Sequence, residues 1–169
     1  MAVDMFIKLE PKVPGEAKDD AVKGPKHTGE IQVLSWTWGM TQTGSTHDNS
    51  GSGTGKVNVQ DLSFTKYTDT STPTLIQFCC SGKHLDKGTL TVRKAGGDKP
   101  VEYLVIKLFD IIISSVSTGG GGSDERLTEH VSLNFGKFDV VYTPQSPKGE
   151  ALASVEAGYD IANHGPFSG

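Results

Sequence analysis

Val3, Met5, Ile7 and Leu9 alternate with Ala2, Asp4, Phe6 and Lys8, which predicts a first strand with one core face. From Glu10 to Gly29 the periodicity stops; three prolines, three glycines and many charges predict a long surface connection. IQVLSWTWGM is the second strand. Ile31 and Val33 fall on one face, and Leu34, Trp36, Trp38 and Met40 on the other. Apolar residues on both faces mean that neither is simply wetted, so one is assigned to the core and the other to a partner subunit.

The stretch from Gly55 to His84 organises the rest. Val57 and Val59 share one face, whereas Leu62 and Phe64 take the opposite parity. A one-residue slip would turn the apolar face outward, so a bulge or sharp bend is expected at Gln60 and Asp61. One helix follows, over about 72–81. Thr72 is the candidate cap, Pro73 suits the first helical position and Gly82 can close the helix in the left-handed conformation. Leu75, Ile76, Cys79 and Cys80 form its apolar stripe, with Phe78 beside it.

TVRKAGGDKPVEYLVIKL reads as a hairpin turning at Gly96-Gly97-Asp98. Its second arm, Val101 to Ile113, is apolar at both parities and must be covered on both faces. Ser114 to Thr118 continues extended into the glycine run 119–122. Val131, Leu133 and Phe135 alternate; Gly136 bends the chain, and Phe138, Val140 and Tyr142 resume on shifted parity. A last short strand is expected near Gly158 to Ile161, followed by a loose tail over 162–169.

Composition agrees with this strand-rich pattern. The 169 residues suffice for one domain with a sizeable core, and 21 glycines and 8 prolines favour a turn-rich β sandwich or barrel. The formal net charge of −4 and the lack of a basic run argue against nucleic-acid binding. The longest apolar segment, Tyr103 to Ile113, contains Lys107 and Asp110 and is too short to span a bilayer. MAVDMFIKLE lacks the features of a secretory leader, so folding in the cytosol is expected. Adjacent cysteines on a helix point about 100° apart. Cys79 and Cys80 therefore read as small buried apolar side chains and not as a redox pair.

Candidate chemistry is sparse. The five histidines, His27, His47, His84, His130 and His164, have no metal-ligand spacing, and no cofactor is called for. The segment SGSGTGKV superficially resembles a phosphate-binding loop, but Ser50 and Val57 break the motif and the loop leads into a strand. Asp124, Glu125 and Glu129 read as solvated or intersubunit charges. No nucleophile constellation stands out, so the sequence nominates no enzyme. The distinctive feature is surplus apolar strand surface with a single helix to shelter it, which points to an obligate oligomer.

A resemblance now carries the reading further. MAVDMFIK, Gly15-Glu16, His27, IQVLSWTWGMTQTGS, GKVNVQDLSFTKY, STP, CSGKH, LTVRKAGG, VEYLVIKL, SSVSTGGGG, ERLTEHVSLNFGKF and GYDI follow one another in the order seen in the haemolysin-coregulated (Hcp) proteins. These are the tube proteins of the bacterial type VI secretion system. The chain departs from the family pattern at Gly15-Glu16-Ala17, where the family has GES, and at Asp19–Lys26, which is longer. Both fall in a surface connection.

The resemblance implies a mainly β fold, a two-sheet β-barrel with one short flanking helix, as a single domain over residues 1–169. It also implies six-membered rings that stack into a tube, enclosed by a sheath, tipped by a spike protein and carrying small effectors. The tube is made in the bacterial cytoplasm and expelled without a cleaved signal peptide. The loop 41–55 would reach the neighbouring ring, through Thr43, Gly44, Ser45, His47, Asp48, Asn49 and Gly53. Trp36, Trp38, Glu125 and Arg126 are the candidate contacts between subunits. Six copies at −4 each give −24, against a nucleic-acid conduit. A phage tail-tube subunit and a monomeric ligand-binding barrel are the alternatives.

Overall fold

The computed structural model describes residues 3–19, 25–44, 55–94 and 100–169. Ala2, the stretch 20–24, the loop residues 45–54 and the turn at Gly96-Gly97-Asp98 lie outside them.

Eleven strands and one helix are defined within these residues: β1 (Val3–Glu10), β2 (Ile31–Thr37), β3 (Met40–Thr41), β4 (Asn58–Val59), β5 (Leu62–Tyr67), α1 (Thr72–Ser81), β6 (His84–Lys94), β7 (Glu102–Gly119), β8 (Thr128–Asn134), β9 (Lys137–Tyr142), β10 (Val155–Asp160) and β11 (Gly165–Pro166). Six of the strands close a barrel in the order β7-β6-β1-β2-β5-β8, with β8 returning to β7. The sheet continues outward from β7 as β9-β10-β11, and β3 and β4 form a separate two-stranded ribbon. The mainly β barrel with one flanking helix is therefore the observed architecture.

Closure depends on β7 changing partner. Its first half pairs with β9, from Leu104↔Tyr142 to Phe109↔Lys137, and its second half pairs with β8, from Ile112↔Asn134 to Gly119↔Thr128. Asp110 sits at the changeover with φ 54, and the Gly136 N–H donates to the Phe109 carbonyl there at 3.0 Å. The inward residues accordingly change parity along β7, from Ile106 and Leu108 to Ile111 and Ile113, all buried. This is why the arm looks apolar at both parities. The bend at Gly136 separates β8 from β9, as expected.

The interior is filled by aliphatic and aromatic side chains from all six barrel strands, with Leu75 of α1 and Val13 added. Lys66 and Glu129 extend the inward alternations Leu62–Phe64 and Val131–Leu133, and both are fully buried. Glu129 is thus not the solvated charge expected from sequence.

Several other expectations are corrected. Ser71, not Thr72, holds the N-cap position, without a side-chain capping bond, and the helix closes on Gly82 with φ 65 as predicted. Thr72 is drawn instead into the Lys66–Glu129 cluster. Of the helical stripe only Leu75 is fully buried; Ile76 is 39 % exposed, Cys79 is half-buried and Cys80 is exposed. The reason is shape, because a single turn-face of a ten-residue helix meets the barrel. Thiol titration of the folded protein is therefore expected to modify Cys80 before Cys79. Cys80→Ser should change the unfolding free energy by less than about 0.5 kcal/mol, as is usual for surface positions.

Within β2 a register shift between Val33 and Ser35 brings Trp36 opposite Phe64, onto the same inward face as Val33. The predicted two-faced strand is in fact a bulged one. The connection after β1 is no bare surface loop either, since Val13, Ala17, Asp19 and His27 are buried on it. The tail also departs from expectation. Residues 165–166 pair with β10, the Phe167 N–H donates to the Gly158 carbonyl, and Lys107 Nζ donates to the Gly169 carbonyl at 2.7 Å.

Candidate functional site

The resemblance implied an inter-ring role for the loop 41–55, and its two ends are described as strands. Met40↔Val59 and Thr41↔Asn58 pair to make the β3–β4 ribbon that brackets the loop. The ribbon is anchored at its base. Gln60 N–H donates to the Gly39 carbonyl at 3.0 Å, and Trp38 Nε1 donates to the Gln60 carbonyl at 3.0 Å. The Trp38 indole is itself wedged edge-on against Phe138 (4.8 Å) and Phe135 (5.9 Å). An amphipathic ring of this kind suits the junction, with its apolar body on the core and its N–H on the backbone.

The parity slip at Gln60 and Asp61 is where the chain leaves this ribbon and enters the barrel as β5. Asp61 secures the turn, accepting from Ser114 Oγ at 2.6 Å and from Asn134 Nδ2 at 2.8 Å. The expected bend is therefore real, and its purpose is to exchange one sheet for another.

Of the candidate loop residues, Thr43 and Gly44 are exposed just beyond the ribbon. Ser45, His47, Asp48, Asn49 and Gly53 lie outside the described residues. Trp36 and Trp38 are both half-buried and packed against the core. Glu125 and Arg126 are on the connection between β7 and β8 and are exposed; the Arg126 guanidinium lies 3.7 Å from the centre of the Tyr67 ring. Trp36 is thus on β2 and Trp38 between β2 and β3, while Glu125 and Arg126 share the β7–β8 connection.

Two polar clusters support this framework, and sequence reasoning missed both. At one end of the barrel Lys66 Nζ reaches Glu129 Oε2 at 2.8 Å and Asp69 Oδ1 at 3.0 Å. Thr72 donates to Glu129 Oε2 at 2.9 Å and Thr68 to Glu129 Oε1 at 3.2 Å. The second cluster fastens the connection after β1 to the outer face of the barrel. Asp19 receives two bonds from Arg93, at 2.7 and 2.9 Å, and one from the His27 backbone N–H at 2.9 Å. The paired carboxylate raises the Arg93 pKa above its usual value.

The His27 ring stacks on Phe6 with centroids 4.6 Å apart and bridges Glu30 (2.8 Å) and Glu102 (2.9 Å). Burial pulls its pKa down, but the hydrogen bonds and charges of Glu102 and Glu30 outweigh that and raise it to about 9. The imidazolium is the bound form at neutral pH. An open cleft of about 360 Å³ adjoins it, lined in part by Lys8, Lys87, Thr89 and Val105. Among the described residues no group of three or more His, Cys, Asp or Glu side chains is arranged to hold a metal ion.

With this geometry in place, comparison with known proteins is decisive. A family model described as "Type VI secretion system effector, Hcp" matches residues 6–142. The chain belongs to the Hcp family. It is 57% identical over 149 residues to protein hcp1 of Pseudomonas aeruginosa, covering 88% of each chain. Its fold is similar to the crystal structure of Hcp1 from Salmonella typhimurium, with a TM-score of 0.78 and 35% identity over 99% of this chain and 100% of that one. A second solved type six secretion system protein matches with a TM-score of 0.88 and 26% identity, over 98% and 100% of the two chains. Membership makes this Hcp protein a subunit of the type VI secretion tube, as the resemblance of its motifs implied. No helix among its described residues is long and apolar enough to cross a membrane.

Proposed function

We infer that this chain closes into six-membered rings and that the rings stack head to tail, with the loop 41–55 carried on the β3–β4 ribbon as the inter-ring arm. The observation that carries this reading is the ribbon itself: a two-stranded stem held apart from the barrel sheet and braced at its base by Trp38. A rigid stem lowers the entropy lost when a Gly/Ser-rich arm finds its target. Head-to-tail contacts do not close on themselves, so they propagate as a filament. Six arms worth about 1 kcal/mol each would sum to roughly 6 kcal/mol, about four orders of magnitude in docking affinity. Such a tube is firm when assembled and still separable after firing.

The same reading gives the chain its partners: other copies of itself, the sheath, the spike and the effectors carried in the channel. The subunit folds in the bacterial cytoplasm and leaves with the tube, and it acts as a structural element and not as an enzyme. Glu125 and Arg126, which are exposed, remain the candidate contacts between neighbours in the ring, whereas Trp36 and Trp38 are packed against the core.

Deleting residues 45–54 tests the arm. Electron microscopy is expected to find rings of unchanged diameter that no longer stack end to end. Tubes of normal length from the deletion variant would show that the arm is elsewhere.

A further inference from the structure

Asp61 stands where the chain leaves the stem of the loop 41–55 and enters the barrel as β5. Its two carboxylate oxygens are taken by two different strands. Oδ2 accepts from Ser114 Oγ of β7 at 2.6 Å, and Oδ1 accepts from Asn134 Nδ2, at the end of β8, at 2.8 Å. Ser114 is free for this contact because of a bulge. The register passes from Ile113↔Leu133 to Ser115↔Ser132, so Ser114 has no direct partner on β8. Bulges of this kind re-aim a side chain, and here the side chain meets Asp61.

The stem has apolar anchors too, since Trp38 and Val59 pack against the core. Apolar contact is non-directional, whereas hydrogen bonds have preferred angles. The Gln60 bond to the Gly39 carbonyl and the Trp38 bond to the Gln60 carbonyl hold the two legs to each other. Neither ties them to the seam where β7 meets β8. Asp61 does, through both strands at once, and so gives the base of the stem one orientation.

Orientation matters because the stem is a lever. Its legs stay together beyond the β3–β4 pairs, since a Cβ on Gly55 would collide with Thr43 Oγ1. From Gln60 to Gly55 an extended chain spans at most about 17 Å. Over that length a tilt of about 10° at the base moves the far end by about 3 Å, the length of a hydrogen bond. Asp61 is only half-buried, and Ser114 and Asn134 are exposed. Contacts at such positions add little to the stability of the fold.

We propose that Asp61 is the positioning residue of the inter-ring arm: it sets the direction in which the stem leaves the barrel, and so where the arm meets the neighbouring ring. This inference rests on the arm reading above and names the side chain that aims the arm. Six arms dock together, so a loss of about 1.5-fold per arm multiplies to about tenfold per ring.

Asp61→Ala removes both acceptors. Size-exclusion chromatography with light scattering should find rings of unchanged mass, with an unchanged melting temperature. Electron microscopy over a concentration series should find that tubes need at least about tenfold more protein. The double variant Ser114→Ala with Asn134→Ala should reproduce that rise, and joining it to Asp61→Ala should add nothing further. Tubes at the wild-type concentration from intact Asp61→Ala rings overturn the assignment and leave the arm reading standing. A melting temperature that falls in step with stacking also overturns it, because Asp61 then serves the fold alone. Tubes of normal length from the 45–54 deletion overturn both readings. Should Asp61→Ala fail to fold, the donor variant decides: wild-type stacking from Ser114→Ala with Asn134→Ala overturns the assignment.

Discussion

Replacing Glu129 with alanine is expected to lower the unfolding free energy by about 3–5 kcal/mol, the usual result of leaving one member of a buried ion pair without its partner. Lys66 is fully buried opposite Glu129, and the ammonium would retain only Asp69 as a counter-charge. The Thr68 and Thr72 hydroxyls would lose their acceptor in the same step. Urea denaturation followed by circular dichroism measures the loss; a change below about 1 kcal/mol would mean that water reaches Lys66 readily.

The paired replacement Lys66→Met with Glu129→Leu should recover most of that loss, because it removes two desolvated charges together and keeps volume in the barrel end. What the double variant should not recover is a unique register. Lys66 and Glu129 are direct cross-strand partners between β5 and β8, and a charge pair rejects a one-residue slip that an apolar pair tolerates. Since β8 also closes onto β7, this pair holds the seam of the barrel.

The second large effect is on the alkaline side. His27 has a folded pKa of about 9, against an ordinary value near 6.5 in the unfolded chain. A raised pKa means that the folded state holds the proton more tightly. The stabilisation is therefore complete below pH 6.5 and is lost as pH rises through about 9. The full difference corresponds to roughly 3 kcal/mol. Urea midpoints taken between pH 6 and pH 9.5 should fall accordingly, and His27→Asn should flatten the dependence across that window. An unchanged slope in the variant would mean that another group titrates there. What loosens first is the connection after β1, which His27 ties to Glu102 of β7, while the barrel core is untouched.

The sequence determined the kind of molecule. Strict alternation in β1, β5 and β8 marked inward faces that the barrel uses, and Pro73 and Gly82 bracketed the helix, because propensity and periodicity are local properties of the chain. The parity slip at Gln60-Asp61 likewise announced a change of direction before any sheet was known. Motif order identified the family, and with it the tube.

What only tertiary structure decided is which alternations are interrupted and what they meet. Trp36 looked like an outward residue until the bulge after Val33 turned it inward, since a bulge depends on the partner strand β5. Glu129 read as a solvated or intersubunit charge because it is ordinary alone, and nothing in the local pattern singled out Lys66. Their burial is tolerable only opposite one another, across a pairing of residues 63 positions apart. The same holds for Asp19 with Arg93 and for His27 with Glu102, where charges far apart in the chain neutralise one another on the barrel wall. Local patterns are written residue by residue; compensation between distant charges exists only once the barrel has closed.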